Sequence, residues 1–412
     1  MPCSQCHTVA YGPALTVYGR QFKLNGYVWG DVSTPIPPLA LMVQGGFTHT
    51  SKDQVDKPAP HNATNDNLSV DQVSAFYGGR ITKDVGAFVQ VTYSGPDRHT
   101  HWDNLDVRYA HSITMGDHSM VFGISVNNNP TVQDLWNSTP AWGFPYITSA
   151  LAPTPAAGAV ISGGLAQSVL GGTAYAMIDD HLYLEAGGYR GLSNSWLSRA
   201  GIGADASPHM DGIAPYWRAT WQMDLGAQYF SVGVFGMNTK FHPDPTLSAT
   251  DRFADLGFDA TYQYTHDAHA LAANLALIHE KQSLDASFAA GNTAPDNHLN
   301  TVTLDVTYSY QQTWSGSIGL FNTSGSTDMG LYAPAPQSGS LTGSPDSRGY
   351  ILLLEYIPFG KLDSFARPWL NLRVGLQYTG YTRFNGSGTN YDGFDRAASD
   401  NNTLFGFFWF AL

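Results

Sequence analysis

Apolar and polar residues alternate along most of this chain with a period of two. Leu39, Leu41, Val43 and Phe47 alternate with Ala40, Met42, Gln44 and Thr48. Val85, Ala87, Val89, Val91 and Tyr93 alternate with Gly86, Phe88, Gln90 and Thr92. Val302, Leu304, Val306, Tyr308 and Tyr310 alternate with Thr301, Thr303, Asp305, Thr307 and Ser309. Such alternation marks strands with one apolar and one polar face. It predicts strands near 38–50, 68–80, 84–94, 102–112, 118–128, 168–178, 181–191, 214–224, 227–240, 253–264, 269–282, 298–310, 313–324, 348–358, 367–383 and 402–412, about sixteen in all.

Alternation alone fits a soluble sandwich and a membrane barrel equally. The polar sets carry charge in mid-strand, at Arg108, Arg218, Asp259, Asp305 and Arg373. The apolar sets carry aromatic residues near strand ends, at Trp217, Trp221, Tyr262, Tyr264, Tyr308, Tyr310 and Tyr378. A barrel in lipid turns its apolar face outward, with aromatic girdles, and its polar face to the lumen. The links also sort by length. Short ones (Thr82-Lys83-Asp84, Asp179-Asp180, Asp224-Leu225-Gly226, His266-Asp267, Gln311-Gln312) alternate with long ones (51–67, 129–167, 192–213, 241–252, 283–297, 325–347, 384–401). Short turns at one end and long loops at the other, with an even strand count, are a barrel signature. The expected fold is therefore all-β: an antiparallel, porin-like transmembrane β-barrel over 38–412, preceded by a plug segment over 1–37. The aromatic-rich end, "NNTLFGFFWFAL", suits a closing strand.

The longest link, 129–167, holds a candidate short helix near Thr131–Asn137 and a Pro-rich stretch. It reads either as a loop folded into the lumen or as an ordinary surface loop.

Composition narrows the functions. Charged residues make up only 13% and the net charge is −13, so no basic stripe exists to neutralise phosphates. Nucleic-acid binding is disfavoured on that ground, and no nucleic-acid partner is expected. No apolar run reaches the roughly 18–20 residues of a spanning helix. Pro2 and Cys3 follow Met1 with no basic and apolar leader, so the chain reads as a mature form of an exported protein.

The only cysteines are Cys3 and Cys6, followed at once by His7. Cys3-Ser4-Gln5-Cys6-His7 fits C-x-x-C-H, the attachment site of c-type haem. Two thiols add across the two vinyl groups of one porphyrin, and the adjacent imidazole reaches the iron as an axial ligand. A thioredoxin-like site would follow a strand of an α/β unit. A zinc site would need further Cys or His nearby. A structural disulfide would leave His7 without a role. The site expected is one covalent haem c on Cys3 and Cys6, with His7 as metal ligand and the catalytic, electron-passing residue. No distal ligand is assigned; Met42 projects to the lumen by the alternation. Pro13, Leu15, Tyr18, Phe22 and Leu24 offer a little apolar cover, and Arg20 or Lys23 either pairs with haem propionates or is solvated.

At "PCSQCH", continued by "PALTVYGRQFKLNGY" and then a single barrel, the chain resembles the fused monohaem cytochrome c–porins of bacterial outer membranes, a family of Fe(II) oxidases. That resemblance implies a Gram-negative outer-membrane location; the even strand count and short periplasmic turns put the N-terminus on the periplasmic side or in the lumen. The resemblance also implies ferrous-iron oxidase activity: extracellular Fe(II) or another small donor gives electrons to the haem, and a periplasmic cytochrome or copper protein receives them. Asp53, Asp56, Asp205, Asp211, Asp244 and Asp251 are candidate ion-collecting residues, since acidic loops attract cations. Two other readings stand beside this one: a diffusion porin with a structural haem plug, and a secreted soluble haem protein.

Overall fold

The computed structural model describes residues 3–9, 13–28, 38–203, 206–361, 363–366 and 369–412. Among them run sixteen strands: β1 (Leu39–Thr50), β2 (Asn67–Arg80), β3 (Val85–Ser94), β4 (His99–Met115), β5 (His118–Asn127), β6 (Val169–Ile178), β7 (Leu182–Gly191) and β8 (Ala214–Asp224). The second half comprises β9 (Gln228–Phe241), β10 (Asp251–His266), β11 (His269–Ser283), β12 (Asp296–Tyr310), β13 (Trp314–Gly325), β14 (Ser347–Tyr356), β15 (Asn371–Arg383) and β16 (Thr403–Ala411). Each strand pairs antiparallel with its sequence neighbours. β16 returns to β1 in a register running from Met42 opposite Ala411 to Thr50 opposite Thr403. The barrel is closed, so every strand edge is paired, as a sheet in lipid requires.

Burial follows the alternation. In β12, Leu304 and Val306 are each 38% exposed on the outside, whereas Asp305 is 6% exposed on the inside. Arg108, Arg218, Arg373 and Asp259 are likewise buried within the lumen. A closed sheet whose outer face is apolar and whose inner face is charged is a membrane-spanning barrel, because only lipid favours that arrangement. Aromatic pairs such as Trp314 and Tyr356, with ring centroids 4.5 Å apart, sit on the outer face at the end bearing the short turns. Two links depart from the length pattern. Between β3 and β4 the long-loop end has only a tight connection, and between β14 and β15 the short-turn end carries the longer segment 357–370.

The long-loop end is roofed. Arg396 Nη1 donates to Asp53 O (2.8 Å), Gln337 Nε2 to Gln54 Oε1 (3.0 Å) and Gln54 Nε2 to Leu151 O (2.7 Å). The loops 51–66, 326–346 and 384–402 thereby interlock over the barrel, and the loop between β5 and β6 joins them from below.

That loop, 128–168, folds inward. Val132, Leu135, Trp136, Ile147, Leu151, Ile161 and Leu165 are all buried. The expected helix over 131–137 does not form. Turns replace it, with Val132 N donating to Asn129 O and Asp134 N to Thr131 O. The cause is Asp134, whose carboxylate takes the N–H groups of Trp136 (3.0 Å), Ser138 (2.8 Å) and Thr139 (3.0 Å). Asp side chains compete with helix formation in this way. The only regular turn of the predicted stretch's neighbourhood is a 3₁₀ segment at Pro140–Trp142.

Candidate functional site

The plug begins with α1 (Cys3–Cys6), a single helical turn, and continues with α2 (Val17–Leu24). A helix brings positions three apart onto one face. The C-x-x-C spacing is thus one turn of helix, with His7 next in line. His7 then bridges to Leu15, and Thr8 N donates to Ala14 O (3.0 Å), so the chain doubles back before α2. Thr16 ties the two helices together. Its hydroxyl caps α2 at Gly19 N and donates to Gln5 O (2.6 Å), while its N–H donates to Cys6 O (2.9 Å). Gly19 is required there, because a Cβ would overlap the Cys6 carbonyl. Cys6 and His7 are half-buried.

The plug enters from the short-turn end. Thr8 O accepts from Gln312 in the β12–β13 turn (3.1 Å), and Val9 packs on Ile357, Trp409 and Ala411. From there α2 reaches mid-barrel, and charged side chains hold it. Arg20, expected to meet propionates or water, is buried. It donates to Leu15 O (2.7 Å) and Gln263 Oε1 (3.0 Å), and its guanidinium lies 3.5 Å from the Tyr229 ring centroid. Burial pushes its pKa down. Lys23 is buried too. Its ammonium donates to Val132 O (3.0 Å), Asn137 Oδ1 (2.8 Å) and Asp134 O in the inward loop. Burial, then Arg108, pushes its pKa down to about 7, against the pull of Asp134, Asp106 and Glu185. Gly26 and Tyr27 both adopt positive φ, which swings the Tyr27 hydroxyl onto Asp106 Oδ2 (2.6 Å). Asp106 also binds Arg108 (2.6 Å), and Arg108 Nη1 donates to Lys23 O (3.1 Å). Neither basic residue of α2 is available as a propionate partner. Of the expected apolar cover, Leu24 packs into the barrel with Leu135, Trp136, Tyr175 and Tyr183, and Tyr18 is exposed.

A second cluster pins the inward loop to the wall. Arg218 Nη2 lies 2.8 Å from Asp259 and 3.4 Å from Asp134, and its guanidinium is 5.2 Å from the Trp136 ring centroid. Ser138 Oγ donates to Asp259 Oδ2 (2.5 Å). Sequence pattern marked Arg218 and Asp259 as lumen charges but gave no hint that a loop residue, Asp134, would join them.

The candidate ion-collecting residues do not form a site. Asp251 is buried and accepts from Ala286 N (2.9 Å) and Ser287 N (3.1 Å) at the short helix Asp285–Ala289. Asp244 accepts from Thr246 N (2.8 Å), and Asp53 from Asn65 Nδ2 (3.1 Å). Asp211 lies 3.8 Å from His242, Asp56 is exposed, and Asp205 falls outside the described residues. Among the described residues, no three His, Cys, Asp or Glu side chains gather as a metal site. Asp244 is taken up by a nearby backbone N–H, the ordinary use of Asp in loops. Met42 does face the lumen, buried, as the alternation predicts.

No protein-family model matches the sequence, and no curated protein matches it. Solved structures do match in shape. The outer membrane channel DcaP of Acinetobacter baumannii is similar at a TM-score of 0.51 with 12% identity, over 93% of this chain and 99% of that one. The fold is the porin fold. OmpF of Salmonella typhi, in complex with daunomycin, is similar at a TM-score of 0.49 with 13% identity, covering 91% and 97% of the two chains.

Replacing Lys23 with Met keeps most of the stem and removes the donors. It is expected to weaken plug docking by about 1–3 kcal/mol, because buried acceptors of the inward loop lose their partner. Faster proteolysis within 13–28 in the folded barrel is the readout; unchanged kinetics would show that the other anchors carry the docking.

Proposed function

We propose that this protein is an outer-membrane electron-transfer protein in which Cys3, Cys6 and His7 would hold one c-type haem. Electrons come from extracellular Fe(II) or another small donor and leave to a periplasmic cytochrome or copper protein. The observation that carries this reading is the plug: a helical C-x-x-C turn followed by His7, bound by α2 and seated in the mouth of a porin barrel. The residue set fits the group, with two cysteines at the ends of one helical turn, His7 next in the chain, and Cys6 and His7 half-buried. Bound there, a c-type haem supplies reversible one-electron transfer.

The chain's own residues do the rest. Thr16 and Gly19 fix the backbone of the attachment turn. Arg20, Lys23 and Tyr27 hold α2 inside the barrel, so the motif stays at the mouth. Both ends of the barrel strands, at Leu39 and Ala411, lie at the short-turn end. In bacterial barrels that end faces the periplasm, which supports a periplasmic redox partner for the motif. The net charge of −13 favours cation approach at low ionic strength. Ferrous iron as donor rests on the resemblance of "PCSQCH" and the following stretch to the cytochrome–porins.

The test has two parts. Protein from cells with cytochrome maturation should carry the mass of one haem after denaturation, and Cys3→Ala or Cys6→Ala should lose it or hold it weakly. A bare-chain mass in the unaltered protein would end the haem reading. Anoxic Fe(II) should then produce reduced haem absorption bands in the detergent-solubilised protein. Reduction by dithionite but not by Fe(II) would leave the haem and remove iron as donor. The diffusion porin keeps one observation in its favour: Thr303, on the inner face of β12, is exposed, so water reaches part of the lumen. Solute-conducting bilayer currents that ignore haem content would favour it.

A further inference from the structure

A cavity lies on the side of the lumen away from the plug, between the inward loop and the inner faces of β12 to β16. Its volume is about 230 Å³. One side is apolar, formed by Phe144, Pro145, Ala152 and Pro153 of the loop. Gly319 makes this possible, because a Cβ there would meet the Phe144 ring. The opposite, wall side sets the acceptors of Asp305, Gln377 and Thr379 among apolar residues such as Phe321, Ile351 and Phe405. Asp305 is its one carboxylate, and no Lys, Arg or His lines the space. One Asp305 oxygen accepts from Asn274 Nδ2 (3.1 Å). Gln377 also lines the cavity; it is 2% exposed, and its Oε1 has no hydrogen-bond partner.

We propose that this cavity binds a small aromatic ammonium ion. A buried acceptor without a donor is rare in folded proteins and points to a missing partner. Here the partner must donate to Gln377 and bring positive charge to Asp305, since no basic residue of the lining does so. The apolar loop side asks for a flat hydrocarbon body. A cavity of about 150 Å³ lined by apolar residues holds benzene, so this one takes one ring with a short side chain. The proposal does not depend on the haem.

The probe is benzylammonium, titrated calorimetrically into the full chain in detergent, beside benzyl alcohol and benzoate. Benzylammonium should bind tightest and benzoate not at all. Asp305→Asn should weaken it at least about tenfold, because a charge-assisted hydrogen bond is lost. Thr379→Trp, which fills the cavity from β15, should abolish it. Heat-modifiable electrophoretic mobility checks that each barrel is folded. If Asp305→Asn does not fold, Gln377→Met decides in its place, with weaker binding expected. Absence of benzylammonium binding would mean a water-filled space only. Equal binding of benzoate, or full affinity in Thr379→Trp, would equally overturn the proposal.

Discussion

Replacing Asp134 with Ala is expected to free the inward loop from both the wall and the plug. Asp134 joins three elements. Its carboxylate takes the Trp136, Ser138 and Thr139 N–H groups and lies 3.4 Å from Arg218, while its carbonyl accepts from Lys23. Removing one partner of a buried ionic cluster costs about 3–5 kcal/mol, because the remaining charges stay buried without compensation. Arg218 keeps Asp259, so the wall itself should survive. Protease sensitivity across 128–168 should rise while the barrel still migrates as folded. A loop as resistant as wild type would show that the apolar anchors Val132, Leu135 and Trp136 suffice. The same residue sets a pH dependence. Burial alone raises its pKa, but Arg218, then Lys23 and the Trp136 N–H, outweigh that and hold it below the ordinary value. A depressed carboxylate stabilises the fold fully above its unfolded pKa of about 3.9 and loses this as pH falls through the lower folded value. The loop should stay docked at pH 5 and loosen only below about pH 4. Asp134→Asn should lack that acid step.

The barrel was legible because its physics is local. Each strand faces lipid on one side and the lumen on the other, so period two is written into every segment. The predicted 269–282 and the observed His269–Ser283 differ by one residue. The Cys3-to-Cys6 spacing was legible as a unit for a similar reason, since it spans one local turn of helix. Arg20 and Lys23 were not legible. Their partners include backbone carbonyls of Leu15, Val132 and Asp134, and a carbonyl leaves no mark on the sequence. The inward loop was ambiguous because it is held by Arg218, Asp259 and Tyr229 of distant strands, through Asp134, Ser138 and Trp136. A helix at 131–137 was a fair expectation from composition. The Asp134 side chain, by taking N–H groups further along the chain, decided against it.

Arginine placed along β12 should separate the two faces and refine the simple alternation. Leu304 lies near the middle of the strand on the apolar outer face, and Val306 follows on the same face. Leu304→Arg and Val306→Arg should each destabilise the barrel by about 2–4 kcal/mol, the cost of an arginine at the bilayer midplane. Period two alone makes Thr303 and Thr307 equivalent inner positions, both tolerant. Their surroundings differ. Thr303 is exposed and borders the cavity between β12 and the inward loop, so Thr303→Arg has room and should stay within about 0.5 kcal/mol of wild type, as at other exposed sites. Thr307 is buried, and its hydroxyl pairs with Ser317 Oγ at 2.8 Å. Thr307→Arg must displace that pair and find room in a packed wall, so about 1–3 kcal/mol is expected from overpacking. Urea unfolding in lipid vesicles, followed by tryptophan fluorescence, orders the four variants. Equal losses at Leu304 and Thr303 would sink the assignment of lipid and lumen faces. Equal tolerance at Thr303 and Thr307 would sink only the claim that the cavity gives room beside the first and not the second.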